Sequence, residues 1–133
     1  MMILTDNTSR LEIILSHWDG DAYVTVKIDS MGYCGENDLH IHSIEFKRFC
    51  KDILELQRTL KGKAELNSIS PDELSIVVKP FDRLGHISVV GKCGYHAPTA
   101  HTTNWHSVEF GFEIDPQQLD KAVRAEWVTK YAI

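Results

Sequence analysis

The chain has no long apolar run, no basic cluster and no paired set of cysteines, and each absence narrows what it can be. The opening stretch, MMILTDNTSRLEIIL, lacks a basic leading segment, and its apolar runs are too short for a signal peptide or a membrane span. No run of Lys or Arg exceeds two residues, and the formal net charge is −5 with His neutral. The basic face that a phosphate-tracking protein needs is therefore missing, and neither nucleic acid nor membrane is an expected partner. Cys34, Cys50 and Cys93 are odd in number and not spaced C-x-x-C. That speaks against a disulfide framework and suits a reducing cytoplasm. There is also no G-x-G-x-x-G, no P-loop, no G-x-S-x-G and no H-E-x-x-H, so the common nucleotide, hydrolase and metalloprotease signatures are absent.

What is present is ordinary for a folded domain. A length of 133 residues fits one domain, residues 1–133, with a core that needs neither disulfides nor a metal. The 43% apolar and 25% charged fractions are those of a globular protein. The acidic balance favours solubility and electrostatic steering toward a basic protein partner.

Period-2 alternation marks most of the elements. Residues 11–16 read as a strand with Leu11, Ile13 and Leu15 on one face, and Asp19-Gly20 as a hairpin turn. Residues 22–29 alternate most cleanly, with Ala22, Val24, Val26 and Ile28 on one side and Tyr23, Thr25, Lys27 and Asp29 on the other. A glycine-containing loop over 30–37 then leads to a short strand, 38–42. Ser43 is the expected helix N-cap, with Glu45 in the first turn. Phe46, Phe49, Cys50, Ile53, Leu54, Gln57 and Leu60 follow helical spacing, and Lys61-Gly62 closes the helix. Strands follow at 63–69, 73–79, 86–93 and 103–114, the last with Val108, Phe110, Phe112 and Ile114 inward. Asp115-Pro116-Gln117-Gln118 is a capping box that opens a final helix, whose buried stripe is Leu119, Ala122, Val123, Trp127 and Tyr131. The order β-β-β-α-β-β-β-β-α predicts an α+β fold. We expect a single curved, mostly antiparallel sheet of about seven strands with both helices packed on one face.

Two places could hold chemistry. His40 and His42 alternate onto one face of a strand, close enough to share a metal with further ligands. With Glu45 and His101 they are loosely similar to the metal motifs of cupins, but the spacings differ and Glu45 falls in a helix. Solvent-facing histidines on a half-exposed strand are the plainer reading. The second place is the segment 91–104, read as a long loop holding Cys93, His96 and His101, with His106 just beyond. A Cys–His pair could supply a nucleophile or zinc ligands, yet C-x2-H-x4-H-x4-H matches no established zinc class. No catalytic residue, metal or cofactor is therefore assigned. Asp29, Glu36 and Asp38 form an acidic group suited to a basic partner. The open sheet face, carrying Tyr23, Thr25, Lys27, Glu36, Asp38, His40 and His42, is the expected partner-binding surface, with Glu109 a further candidate.

Taken together, LEIIL, AYVTVKI, the helix SIEFKRFCKDILELQRTLKG, ELSIVV, GHISVVGK and the junction WHSVEFGFEIDPQQL resemble, in order and spacing, a family of small bacterial proteins related to WapI-type immunity proteins. The resemblance spans nearly the whole chain. It implies an α+β fold and a role in binding a toxin's effector domain, and it supplies no catalytic residues. The leading expectation is a non-enzymatic, cytoplasmic protein-binding module, monomeric or homodimeric. The alternatives are a metal- or ligand-binding protein or enzyme that uses His40/His42 or residues 93–106, and a homo-oligomeric structural protein.

Overall fold

A computed structural model describes all 133 residues, 1–133. The strands are β1 (Met2–Thr5), β2 (Ser9–Trp18), β3 (Ala22–Ser30), β4 (Tyr33–Ile41), β5 (Ala64–Asn67), β6 (Leu74–Pro80), β7 (Ile87–Pro98) and β8 (Thr103–Ile114). The helices are α1 (Ser43–Thr59), between β4 and β5, and α2 (Pro116–Ala122) and α3 (Glu126–Tyr131) at the end. The fold is α+β, but the expected single sheet is two. The strands form four-stranded antiparallel meanders, β1-β2-β3-β4 and β5-β6-β7-β8, joined through α1. Strand alternation cannot reveal this split, because it reports which face is buried and not which strands are neighbours.

Several boundaries also move. The expected loop over 30–37 is a two-residue turn at Met31-Gly32, both with positive φ (55° and 87°), which suits a tight hairpin. Strand β4 consequently begins at Tyr33 and pairs with β3 along its whole length, from Tyr33↔Ser30 to Ile41↔Ala22. The expected loop over 91–104 is mostly ladder: β7 and β8 pair from Ile87↔Ile114 to Pro98↔Thr103, leaving residues 99–102 as the turn. Gly94 permits this close pairing, since a Cβ there would lie 2.6 Å from the His106 carbonyl oxygen.

The alternating residues do bury the face expected of them. Leu11, Ile13, Val24, Val26, Ile28, Leu74, Ile76, Val78, Ile87, Val89, Phe110, Phe112 and Ile114 all join one apolar core of 31 buried residues. Strand β4 meets β7 and β8, so the inner faces of the sheets pack together at that side: Gly35 lies against Val108, whose Cγ2 would sit 3.1 Å from a Cβ at 35. The helices fill the other side. Helix α1 packs on edge strand β5 and on α3, while α2 packs on edge strand β1. This corrects the expectation that both helices cover one face of one sheet.

Helix α1 buries Phe46, Phe49, Cys50, Ile53 and Leu56. The stripe drifts from the expected one, because Leu60 leaves the helix as a left-handed C-cap (φ 57°) whose N–H donates to the Leu56 carbonyl. Its N-cap is His42 and not Ser43: the His42 Nδ1 accepts from the Ile44 N–H at 3.2 Å. The Ser43 N–H is taken by Asp21 Oδ1 at 2.9 Å, so acceptors one residue earlier, and from the β2–β3 turn, serve the helix start. At α2 the expected capping box is present. Asp115 accepts from the Gln118 N–H, and Gln118 accepts from the Asp115 N–H, both at 2.9 Å. The final helix breaks after Ala122 and resumes at Glu126, where Trp127 packs on Phe46 with ring centroids 5.1 Å apart.

Candidate functional site

The helices and the second sheet cover the inner face of the first sheet, so its outer face is open to solvent. Antiparallel register sets the side chains of β2, β3 and β4 on this face in rows. Glu12, Lys27 and Glu36 form one row, Arg10, Asp29 and Cys34 the next. Ile14, Thr25 and Asp38 form a third, and His17, Tyr23 and His40 a fourth. Within the rows, Lys27 Nζ lies 3.6 Å from Glu36 Oε1, and Thr25 donates to Asp38 Oδ1 at 2.6 Å. Tyr23 and His40 stack with ring centroids 4.5 Å apart and planes only 10° from parallel. Six of the sequence-derived partner residues, Tyr23, Thr25, Lys27, Glu36, Asp38 and His40, thus lie on one continuous surface.

His42 does not join them. Strand β4 ends at Ile41, so the alternation that would place His42 beside His40 stops, and its ring turns to the helix start instead. Glu109 also lies elsewhere, on the second sheet opposite Lys92. His40 Nε2 is 3.0 Å from Asp21 Oδ2. The Asp21 carboxyl is held below its ordinary pKa, first by the Ser43 N–H and then by His40, so it is a reliable anion at the base of the Tyr23–His40 stack.

The other metal candidates do not converge with these. Cys93 is buried, His96 packs edge-on to Trp105 with centroids 4.4 Å apart, and His101 lies exposed in the 99–102 turn. No group of three or more His, Cys, Asp or Glu side chains is arranged to hold a metal ion. Burial pushes the Cys93 thiol up to about 11, with the nearby Glu73 charge adding to the effect. At neutral pH it is therefore a thiol and a poor nucleophile.

Beside the open face is a feature that the loop reading of residues 91–104 concealed. Strand β6 ends at Leu74, opposite Cys93, while β7 and β8 continue as a two-stranded ribbon. Between this ribbon and the first half of β4 is a cleft of about 540 Å³, with Cys34 and Glu36 on one wall and Tyr95 and His106 on the other. Asn37 Nδ2 donates to the Gly94 carbonyl at 2.9 Å and pins the two walls together. Cys34, Gly35 and Glu36 also line a shallower depression with Arg10, Glu12, Lys27 and Asp29, so cleft and open face are continuous. The signal for the ribbon was present in the sequence: Ile87, Val89, Cys93, Tyr95 and Ala97 keep period 2 through the glycines.

No helix is long and apolar enough to cross a membrane. No curated protein and no solved structure matched the chain. Residues 4–126 match the family model described as the immunity protein WapI-like family. That match takes in all of β2 to β8 and both the open face and the cleft, and on its strength the chain belongs to the WapI-like immunity protein family.

Proposed function

We propose that the chain neutralises a toxin by binding it directly, as an immunity-type protein without catalytic chemistry of its own, with the outer face of the first sheet as the binding surface. The observation that carries this reading is the make-up of that face. The carboxylates of Glu12, Asp29, Glu36 and Asp38 outnumber the cations of Arg10 and Lys27, and Asp29 has no ion-pair partner. An acidic field of this kind speeds encounter with a basic protein and orients it. The Tyr23–His40 stack offers a rigid aromatic anchor of the sort that dominates binding energy at interfaces. Action in a reducing cytoplasm suits three free thiols.

The test is to titrate the purified protein into candidate toxin effector domains, chosen from the genes next to its own, following both toxin activity and complex formation. Stoichiometric inhibition is expected. Reversing two charges, Asp29→Lys with Asp38→Lys, should slow association and weaken binding by about tenfold or more at low salt. Unchanged binding by the double variant would reject this face, and absence of neutralisation would reject the function.

A further inference from the structure

We propose that the cleft between β4 and the β7–β8 ribbon is a receptor for an arginine side chain of the protein partner, an inference that rests on the binding role just described. The inner face of the ribbon starts as core. Ile87, Val89 and Cys93 oppose Ile114, Phe112 and Val108, and these residues pack between the sheets. The next inward pair, Tyr95 and His106, continues the same face but has nothing packed over it: Tyr95 is 43% exposed and His106 is exposed. Two aromatic rings, with centroids 5.7 Å apart, therefore line a gap where the core would otherwise continue.

The opposite wall decides which chemistry fills the gap. The Glu36 carboxylate accepts no hydrogen bond, and its one ion-pair partner, Lys27, stands 3.6 Å away with both groups about half exposed or more. An apolar side chain would strip water from this carboxylate without replacing it, and an anion would be repelled. A cation satisfies it. Of the other cations nearby, Lys92 is already seated over the Trp105 ring at 5.2 Å and Arg10 pairs with Glu12 at 2.6 Å, so in the adjoining depression Asp29 and Glu36 together outweigh Lys27. Arginine fits better than lysine: its flat guanidinium lies against the ring faces of Tyr95 and His106 while its N–H fork meets a carboxylate.

The test uses no toxin, so its result and that of the neutralisation assay stand apart. The ¹⁵N-labelled protein is titrated with the capped peptide acetyl-Gly-Arg-Gly-amide and with its uncharged twin carrying citrulline. Saturable shifts centred on residues 34–36, 93–95 and 105–107 are expected. The citrulline peptide, and the Glu36→Gln protein with the arginine peptide, should each bind about tenfold more weakly, the value of one charged hydrogen bond. Tyr95→Ala should also weaken binding, and if that variant fails to fold, Glu36→Gln, altered on an exposed strand position, still decides the matter. Equal binding of the two peptides, shifts spread over Asp29 and Asp38 without the cleft, or no saturation would each overturn the proposal.

Discussion

Phe110 lies across the β7–β8 ladder from Gly91, and its ring fills the place of the side chain that Gly91 lacks. A Cβ at 91 would sit 2.6 Å from Phe110 Cζ and 2.6 Å from the Ser75 carbonyl oxygen of the neighbouring strand. The ring can swing away, but the strand backbone cannot without loosening the β6–β7 pairing. Gly91→Ala should therefore destabilise the fold by about 1–3 kcal/mol, read as a lower urea midpoint. Gly111→Ala serves as the control, since its Cβ would meet only Val90 at 3.8 Å. Equal midpoints for the two variants would show that the Gly91 contact carries no stability.

The Met31-Gly32 turn has positive φ at both positions, and methionine is poorly suited to the first of them. The Met31 side chain is 71% exposed, so replacing it removes little packing. Met31→Asn should raise stability by about 0.5–1 kcal/mol, through the lower cost of the left-handed conformation. A fall in the thermal midpoint would mean that Met31 contributes a contact which outweighs this cost.

Asp82 and His86 brace the β6–β7 turn, with His86 Nδ1 2.6 Å from Asp82 Oδ2. Each shifts the other: the His86 hydrogen bond lowers the Asp82 pKa below 3.8, and Asp82 raises that of His86 above 6.5. The stabilisation from the depressed carboxyl is present above 3.8 and disappears as pH falls through its folded value. That from the raised imidazole is complete below 6.5 and disappears as pH rises through its folded value. The pair therefore contributes fully between about pH 4 and 6.5. An NMR titration should place His86 above its ordinary value, and Asp82→Asn should bring it back down. A His86 that titrates identically in both proteins would disprove the coupling.

The thiols should separate cleanly by reactivity. Cys34 is exposed on the open face, whereas burial raises Cys50 to about 12 and Cys93 to about 11. A thiol reagent at neutral pH should modify Cys34 promptly and reach the other two only on unfolding. Rapid reaction of Cys93 in the native protein would show that the ribbon opens away from β4.

Where physics is local, the sequence was legible. The β3 alternation and the Asp115–Gln118 capping box depend only on residues a few positions apart, and both stand as read. Where a partner comes from far along the chain, it was not. Asp21 takes the Ser43 N–H from 22 residues away, which moves the α1 start and frees His42 from the strand. Gly94 reads as a loop residue until the His106 carbonyl is seen pressed against it. The short β1 pairs only with β2, over Met2↔Ile13 to Thr5↔Arg10, and its four residues hold too little periodicity to announce a strand. For the site, the rows of the open face followed from alternation once the register was known, while the cleft required knowing that β4 and the ribbon meet across two different sheets.

Each sheet is an unbroken meander, so each half of the molecule can zip up from its own hairpins with no crossover between the halves. The cleft, by contrast, is shared: one wall belongs to the first half and the other to the second. It comes into being only when the halves dock. A partner that occupies it therefore acts as a clasp, binding the docked molecule and not the separate halves. Saturation with such a partner should raise resistance to unfolding in proportion to the logarithm of its concentration.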